Sequence, residues 1–257
     1  MVGDHVQLRP MVRKLGMALE GDVSLLERLY AQEGDISGLK KTMLDIQYRS
    51  PEALNAFPST EFYQGRLRTS PRNEAKLEVL KGLPFPWPEL NGSIVPTVFI
   101  DCPDEEDFGG RSKTNEGQVR VVLKVVELLK PSSPDPEAAP PSITILSPYR
   151  GQIQKIKGRV PSSIPVATVD SFQGRESDII IFSTVRANAD GEIGFLEDHR
   201  RLNVMWTRAR IALVIVGHAA TLTQGSELWK RALGACRKPS NASLFDPPPQ
   251  EETGATV

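Results

Sequence analysis

A doubly wound α/β fold with a mostly parallel sheet is predicted by two observations. Between Val166 and Gly217 three apolar runs, VATV, IIIFSTV and ALVIV, are continuous rather than alternating, which is how strands buried on both faces of a parallel sheet read. Strand-like runs near Val95, Ile143, Val166, Ile179 and Leu213 also take turns with helical stretches, the alternation from which such sheets are built. Two polar connections in this stretch hold Gln173-Gly174-Arg175-Glu176 and the segment Arg200 to Arg210. Ligands of open parallel sheets gather at the carboxyl ends of the strands, so an anion site is expected where these connections leave them.

In chain order, Gly3 to Pro10 (GDHVQLRP) opens with a turn-like Gly-Asp pair and only two residues before it, so the chain is expected to begin inside a structural unit. Ser24 and Glu27 form a capping-box pattern for a helix to Tyr30, with Leu25, Leu26 and Leu29 on one face. Leu44 to Arg49 (LDIQYR) reads as a short strand, and Pro51 starts a short helix at its favoured first position. Arg66, Arg68, Arg72 and Lys76 make the next region a mildly basic, solvated loop; Gly82 to Ser93, rich in Pro and Gly, reads as a surface connection.

Val95 to Cys102 is a strand, and Asp101 to Gly110 is acidic and expected to be flexible. Asn115 then caps the clearest helix, with Gln118 at the third position and Val119, Val122, Leu123, Val126 and Leu129 at helical spacing. Residues 131–142 (PSSPDPEAAPPS) are a low-complexity insertion. A strand at ITIL, a helix from about Arg150 to Gly158 and a last helix from Ser226 to Leu233 complete the pattern. The expected units are 1–33, a lead-in piece of another domain; 34–238, the α/β domain; and 239–257, a disordered tail.

Composition narrows the possibilities. Hydrophobic content of 39% and charged content of 25% over 257 residues are those of a globular domain. No run of 18 apolar residues and no secretory leader is present, so an intracellular protein, cytoplasmic or nuclear and not membrane-bound, is expected. Cys102 and Cys236 stand far apart, which excludes a disulfide framework or a cysteine metal site by spacing. A net charge of -1 leaves nucleic-acid binding to a local patch. Between Ser147 and Arg175 such a patch is visible, because Arg150, Lys155, Lys157, Arg159 and Arg175 oppose only Asp170.

QGRE followed by RRLNV and TRAR, preceded in order by GDHVQLRP, LDIQYR and ILSPYRGQ, resembles the second half of a superfamily 1 helicase. More narrowly, the set is similar to the Upf-type (up-frameshift) RNA/DNA helicases. The resemblance implies a RecA-like second motor domain that closes over ATP and Mg held by a first RecA-like domain. On this likeness Gln7 senses the γ-phosphate, Tyr48 stacks on adenine, and Arg49 reaches the γ-phosphate. Arg208 is then the arginine finger, Glu176 accepts from the ribose, and Gln173 and Gly174 line the nucleotide, the glycine so that backbone can approach it. Pro148, Tyr149, Thr168 and Arg186 match positions where the family's second domain touches single-stranded RNA or DNA.

The sequence also departs from that pattern. It contains no GxxxxGK[ST] and no acidic Mg-binding strand motif, the parts that cradle phosphates and metal, so this polypeptide alone is expected to hydrolyse and unwind nothing. QYRSP stands in place of the family's more usual QYRMHP, the segment 151–165 is short, and Trp206 before the finger is bulky enough to displace Arg208. A motor half cut from a longer protein, a nucleic-acid-binding module, and an inert fragment remain as alternatives, and oligomeric state is open.

Overall fold

A computed structural model describes residues 2–10, 21–31, 40–107, 112–131 and 139–246. The central part of the Pro-rich insertion, 132–138, and the end of the tail, 247–257, lie outside the described residues.

The first described helix, α1 (Leu25–Ala31), starts as its sequence dictates, with the Ser24 hydroxyl accepting from the Glu27 amide at 3.1 Å. Its leucine face, however, is not buried, and Leu25 is exposed. Strand β1 (Ile46–Gln47) is shorter than LDIQYR suggested and pairs in parallel with β2 (Arg68–Thr69), away from the main sheet. Between them runs α2 (Glu52–Tyr63). The expected basic loop is instead largely a 3-10 helix, Pro71–Gly82, with Leu80 fully buried.

The Pro/Gly-rich stretch is likewise corrected. It holds a hairpin of β3 (Glu89–Leu90) and β4 (Ser93–Ile94) around Asn91 and Gly92, both at positive φ, as a two-residue hairpin turn requires. Leu83, Phe85 and Trp87 ahead of it are buried in the core. Phe245, on a 3-10 turn at Ala242–Phe245, packs on Phe85 with ring centroids 6.0 Å apart. The tail is therefore ordered at least to Asp246, because a large aromatic anchors it; proline content alone hid that.

Strand β5 (Thr97–Asp101), helix α3 (Glu116–Leu128), β6 (Ile143–Leu146), α4 (Arg150–Lys157), β7 (Val166–Ala167), β8 (Ser177–Ser183), α5 (His199–Trp206) and β9 (Ala209–Gly217) build the domain, with α6 (Ala219–Gly225) and α7 (Glu227–Gly234) after them. The sheet is five-stranded and wholly parallel, in the order β5-β9-β8-β6-β7. The continuous apolar runs are explained by it. Ile179 and Ile181 of β8 enter one core layer with Val119, Val122 and Val126 of α3, while Ile180 and Phe182 enter the other with Leu202 and Trp206 of α5 and Trp229 of α7. Helices on both faces make this the doubly wound, RecA-like α/β fold.

Asn115 caps α3 as expected, accepting from the Gln118 amide at 2.9 Å. In the acidic segment after β5, Glu106 is buried and takes ion pairs from Lys113 and Arg186, while residues 108–110 lie outside the described residues. Cys102 and Cys236 are free and buried. Among the described residues no helix is long and apolar enough to cross a membrane.

Trp206 turns into the core rather than toward its neighbour Arg208. Its ring centroid lies 4.3 Å from Phe57, and its Nε1 donates to the Leu54 carbonyl at 2.9 Å. The indole pins α2 to α5 and leaves the arginine undisturbed. Trp206→Ala is expected to destabilise the fold by about 3–5 kcal/mol; a shift in urea midpoint worth less than about 1 kcal/mol would show that the ring carries little of the packing.

Candidate functional site

The register of β8 and β9 assembles one end of the sheet. Ser177 pairs with Ala209, so the residues just before them, Glu176 and Arg208, are brought together, with Arg210 one step on. This is the amino end of both strands. The expectation of a site at the carboxyl ends therefore fails for these residues: QGRE arrives at β8 and the finger sequence arrives at β9, and neither leaves its strand here.

Arg208 is 3% exposed. Its guanidinium donates to the carbonyls of Val204 (3.0 Å) and Arg175 (3.2 Å) and to Oε1 of Gln7 (3.3 Å). No carboxylate pairs with it among the described residues. Burial, and then the like charge of Arg49, lower its pKa to about 10, so it stays charged at neutral pH while poorly compensated. A buried cation served only by neutral acceptors is a costly arrangement that an anionic ligand would relieve.

Gln7 is held in place from below. Its Nε2 donates to Asp4 at 2.7 Å, and the Tyr63 hydroxyl donates to the same carboxylate at 2.6 Å. Asn203 of α5 donates to Tyr63 Oη and to the Val6 carbonyl. Burial, with Asp4 next, pushes the Tyr63 phenol well up, so it remains a donor. Asn203 lies in the RRLNV motif and Tyr63 in α2, and sequence gave neither a role.

Tyr48 and Arg49 leave β1 on a tight turn. The Tyr48 ring is 69% exposed, not packed in the core. Arg49 reaches across to the finger segment: Nη1 donates to the Thr207 carbonyl at 2.8 Å and Nε to Glu176 at 2.8 Å. Glu176 also faces Arg210 at 3.7 Å. The Arg49–Glu176 bridge is over a third exposed on each side, and such pairs contribute about 0–1 kcal/mol, so a ligand displaces it at little cost. Gln173 is exposed; Gly174 has φ +79°, with open space where a Cβ would stand. The glycine serves the left-handed turn.

The residues matched to a nucleic-acid surface lie at the opposite, carboxyl end. Pro148 and Tyr149 follow β6, Thr168 follows β7, and Arg186 follows β8. Two of them are nearly inaccessible. Arg186 is 3% exposed, its Nε on Glu106 at 2.8 Å, and Tyr149 is buried against Phe195 with ring centroids 5.5 Å apart. Arg186 and Tyr149 meet over Gly194 (φ +56°), where a Cβ would lie 2.5 Å from the guanidinium and 2.9 Å from the hydroxyl. Pro148 and Thr168 are half-buried, the Thr168 hydroxyl exchanging hydrogen bonds with Ser171. The basic patch is also weaker than its sequence window suggested. Glu116, from the start of α3, pairs with Lys155 and Arg159.

Among the described residues no cluster of His, Cys, Asp and Glu is arranged to hold a metal ion.

The family profile described as AAA domain matches residues 21–220. The chain belongs to that family, and within it is a helicase domain of the Upf-like superfamily 1 kind. It is 37% identical over 246 residues to the regulator of nonsense transcripts 1 homolog of Drosophila melanogaster, covering 91% of this chain and 20% of that protein. It is 35% identical over 245 residues to helicase SEN1 of Saccharomyces cerevisiae, covering 90% of this chain and 10% of that protein. A structure of the C-terminal domain of a possible DNA helicase from a Lactobacillus aligns over 72% of this chain and 94% of that domain, at 14% identity and TM-score 0.42. The chain spans a fifth or less of the length of these two curated relatives.

Proposed function

We propose that this chain is the second motor half of an ATP-dependent helicase acting on single-stranded RNA or DNA. The observation that carries this reading is Arg208, a buried guanidinium without a carboxylate, gathered with Gln7, Arg49 and Glu176 at one end of the sheet and beside an exposed Tyr48. In this reading ATP and its Mg are gripped by a first RecA-like domain, and the present residues close over them. Tyr48 stacks on the base and Glu176 exchanges Arg49 for the ribose. Arg49, so released, and Arg208 turn to the phosphates. Arg208 counters charge that develops on the transferring phosphoryl group, and Gln7 fixes the guanidinium through its amide oxygen.

The nucleic-acid strand crosses the carboxyl ends, with Pro148 and Thr168 as surface contacts and Tyr149 and Arg186 shaping the loops beneath. Glu116 already pairs with Lys155 and Arg159, so hydrogen bonds and backbone amides carry part of the contact. Hydrolysis requires phosphate-gripping and metal-binding groups that these 257 residues do not spell.

The test has two arms. The isolated chain is expected to bind ATP without turning it over; sustained hydrolysis by the chain alone, abolished in Arg208→Ala, would refute the division of labour. Binding of a homopolymeric single strand, titrated over a salt series, is expected to weaken with a log–log slope shallower than about -1.4, the value for two neutralised phosphates. Absence of any binding at low salt would leave the strand-contacting role without support.

A further inference from the structure

We infer that Gln47 and Lys76 are positioning residues that hold Tyr48 and Arg49 in the shape that presents one to a base and the other to phosphate. This rests on the nucleotide reading of the amino-end site.

A two-residue strand cannot fix the turn that follows it. β1 offers only the pairs Ile46–Arg68 and Gln47–Thr69, yet the next residues must hold an exposed ring and an arginine that spans to Thr207. Side chains supply the missing restraint. Gln47 Oε1 accepts from the amides of Arg49 (2.8 Å) and Ser50 (3.0 Å), while its Nε2 donates to the Ser50 carbonyl (2.7 Å) and to Thr69 Oγ1 (2.7 Å). One amide group thus uses both its donor and acceptor ends to close the turn and tie it to β2.

Lys76 completes the clamp from the 3-10 helix. Its Nζ donates to the carbonyls of Tyr48 (3.1 Å) and Arg49 (2.6 Å). Two of its three protons are therefore committed to the backbone, so the lysine acts through the turn and not as a free anion contact. Burial, then the like charge of Arg210, lower its pKa, as fits an ammonium drawn out of water beneath the turn. The helix bearing it is fixed to the same region, since Glu74 accepts from the Glu52 amide at 2.7 Å. The Arg49 amide and carbonyl, the Ser50 amide and carbonyl and the Tyr48 carbonyl are thus all satisfied by two side chains.

The experiment titrates the full 257-residue chain with ATP, adenosine and inorganic tripolyphosphate, following the ligands by NMR and the fold by far-ultraviolet circular dichroism. Lys76→Met keeps the apolar stem and removes the donors; Gln47→Leu removes both ends of the amide; Lys76→Arg restores two donors. Losing hydrogen bonds that hold a charged contact is expected to weaken ATP binding about tenfold in Lys76→Met and Gln47→Leu. The loss should fall on adenosine and on tripolyphosphate together, because one turn carries both contacts. Lys76→Arg should return affinity to within about twofold of wild type. Loss confined to tripolyphosphate would make Lys76 a direct anion contact and overturn the inference, as would unchanged affinities in all variants. Failure of the wild-type chain itself to bind any of the three ligands would overturn the nucleotide reading along with it.

Discussion

Arg208→Met is expected to leave the chain at least as stable as wild type while reducing tripolyphosphate affinity by about tenfold or more. The sign on stability follows from the missing carboxylate. Breaking a buried ion pair costs about 3–5 kcal/mol, because the abandoned partner stays charged in the interior. Among the described residues Arg208 has no such partner; its acceptors there are two carbonyls, a glutamine and a threonine hydroxyl. Methionine removes a desolvated charge and keeps most of the apolar stem. The affinity loss follows from the same burial, since a hydrogen bond from a charged donor contributes about 1.5–3 kcal/mol when water cannot replace it. In a protein that joins this chain to a phosphate-gripping domain, hydrolysis should fall by about 10³-fold or more. Denaturant midpoints and ligand titrations check the pair of signs. A destabilisation of several kcal/mol with unaltered affinity would make Arg208 a structural arginine and remove the basis of the proposed function.

Arg186→Met should do the opposite. The guanidinium and Glu106 are both nearly inaccessible, 2.8 Å apart, and Glu106 has Lys113 as its other ionic partner. Removing the arginine leaves the carboxylate half-compensated and is expected to destabilise by about 3 kcal/mol. A pH signature goes with it. Burial raises the Glu106 pKa, but hydrogen bonds from Lys113, the Ala187 amide and Arg186 outweigh it, and the net value lies below the ordinary 4.5. A carboxylate depressed in the folded state contributes stability that is present above its unfolded pKa and is lost as pH falls through the folded one. Without Arg186 the folded pKa rises, so that contribution should shrink at neutral pH and the acid limb should begin at higher pH. If single-strand binding weakens while stability and its pH profile stay put, Arg186 touches the strand directly and the structural role assigned here is wrong.

The contrast between these arginines shows how far the residues alone carried. Arg208 stands in a motif and Arg186 at a position matched to strand contact, and both read as cations available to phosphate; only burial and partners separate them. What was legible was local or periodic: the cap at Asn115, the apolar runs of β6, β8 and β9, and the spacing that places Glu176 and Arg208 before paired strands. The gathering of Gln7, Arg49, Glu176 and Arg208 followed from the resemblance; the β8–β9 register accounts for Glu176 and Arg208, and hydrogen bonds bring in Gln7 and Arg49. Lys76, read as a solvated loop residue, could not announce itself, because its acceptors are backbone carbonyls 27 and 28 positions away. Nor could Val185, buried at φ +71° with its amide on Gln118 and its carbonyl accepting from Asn115. A β-branched residue rarely adopts that conformation, and only long-range partners hold it there. Phe85, Trp87 and Phe245 were hidden by neighbouring prolines that looked like punctuation, yet all three are buried.

Strand β8 begins beside Glu176 and ends just short of Arg186, and it is bonded on either side along its length, to β6 and to β9. Its seven residues set the two ends roughly 20 Å apart, a span that neighbouring strands prevent from stretching. In the proposed motor, the residues that close over a nucleotide at one end and those that meet a nucleic-acid strand at the other would therefore ride on the same inextensible strut. Any stroke that accompanies ATP turnover would have to come from tilting the whole slab against its counterpart, with the slab itself moving as one piece.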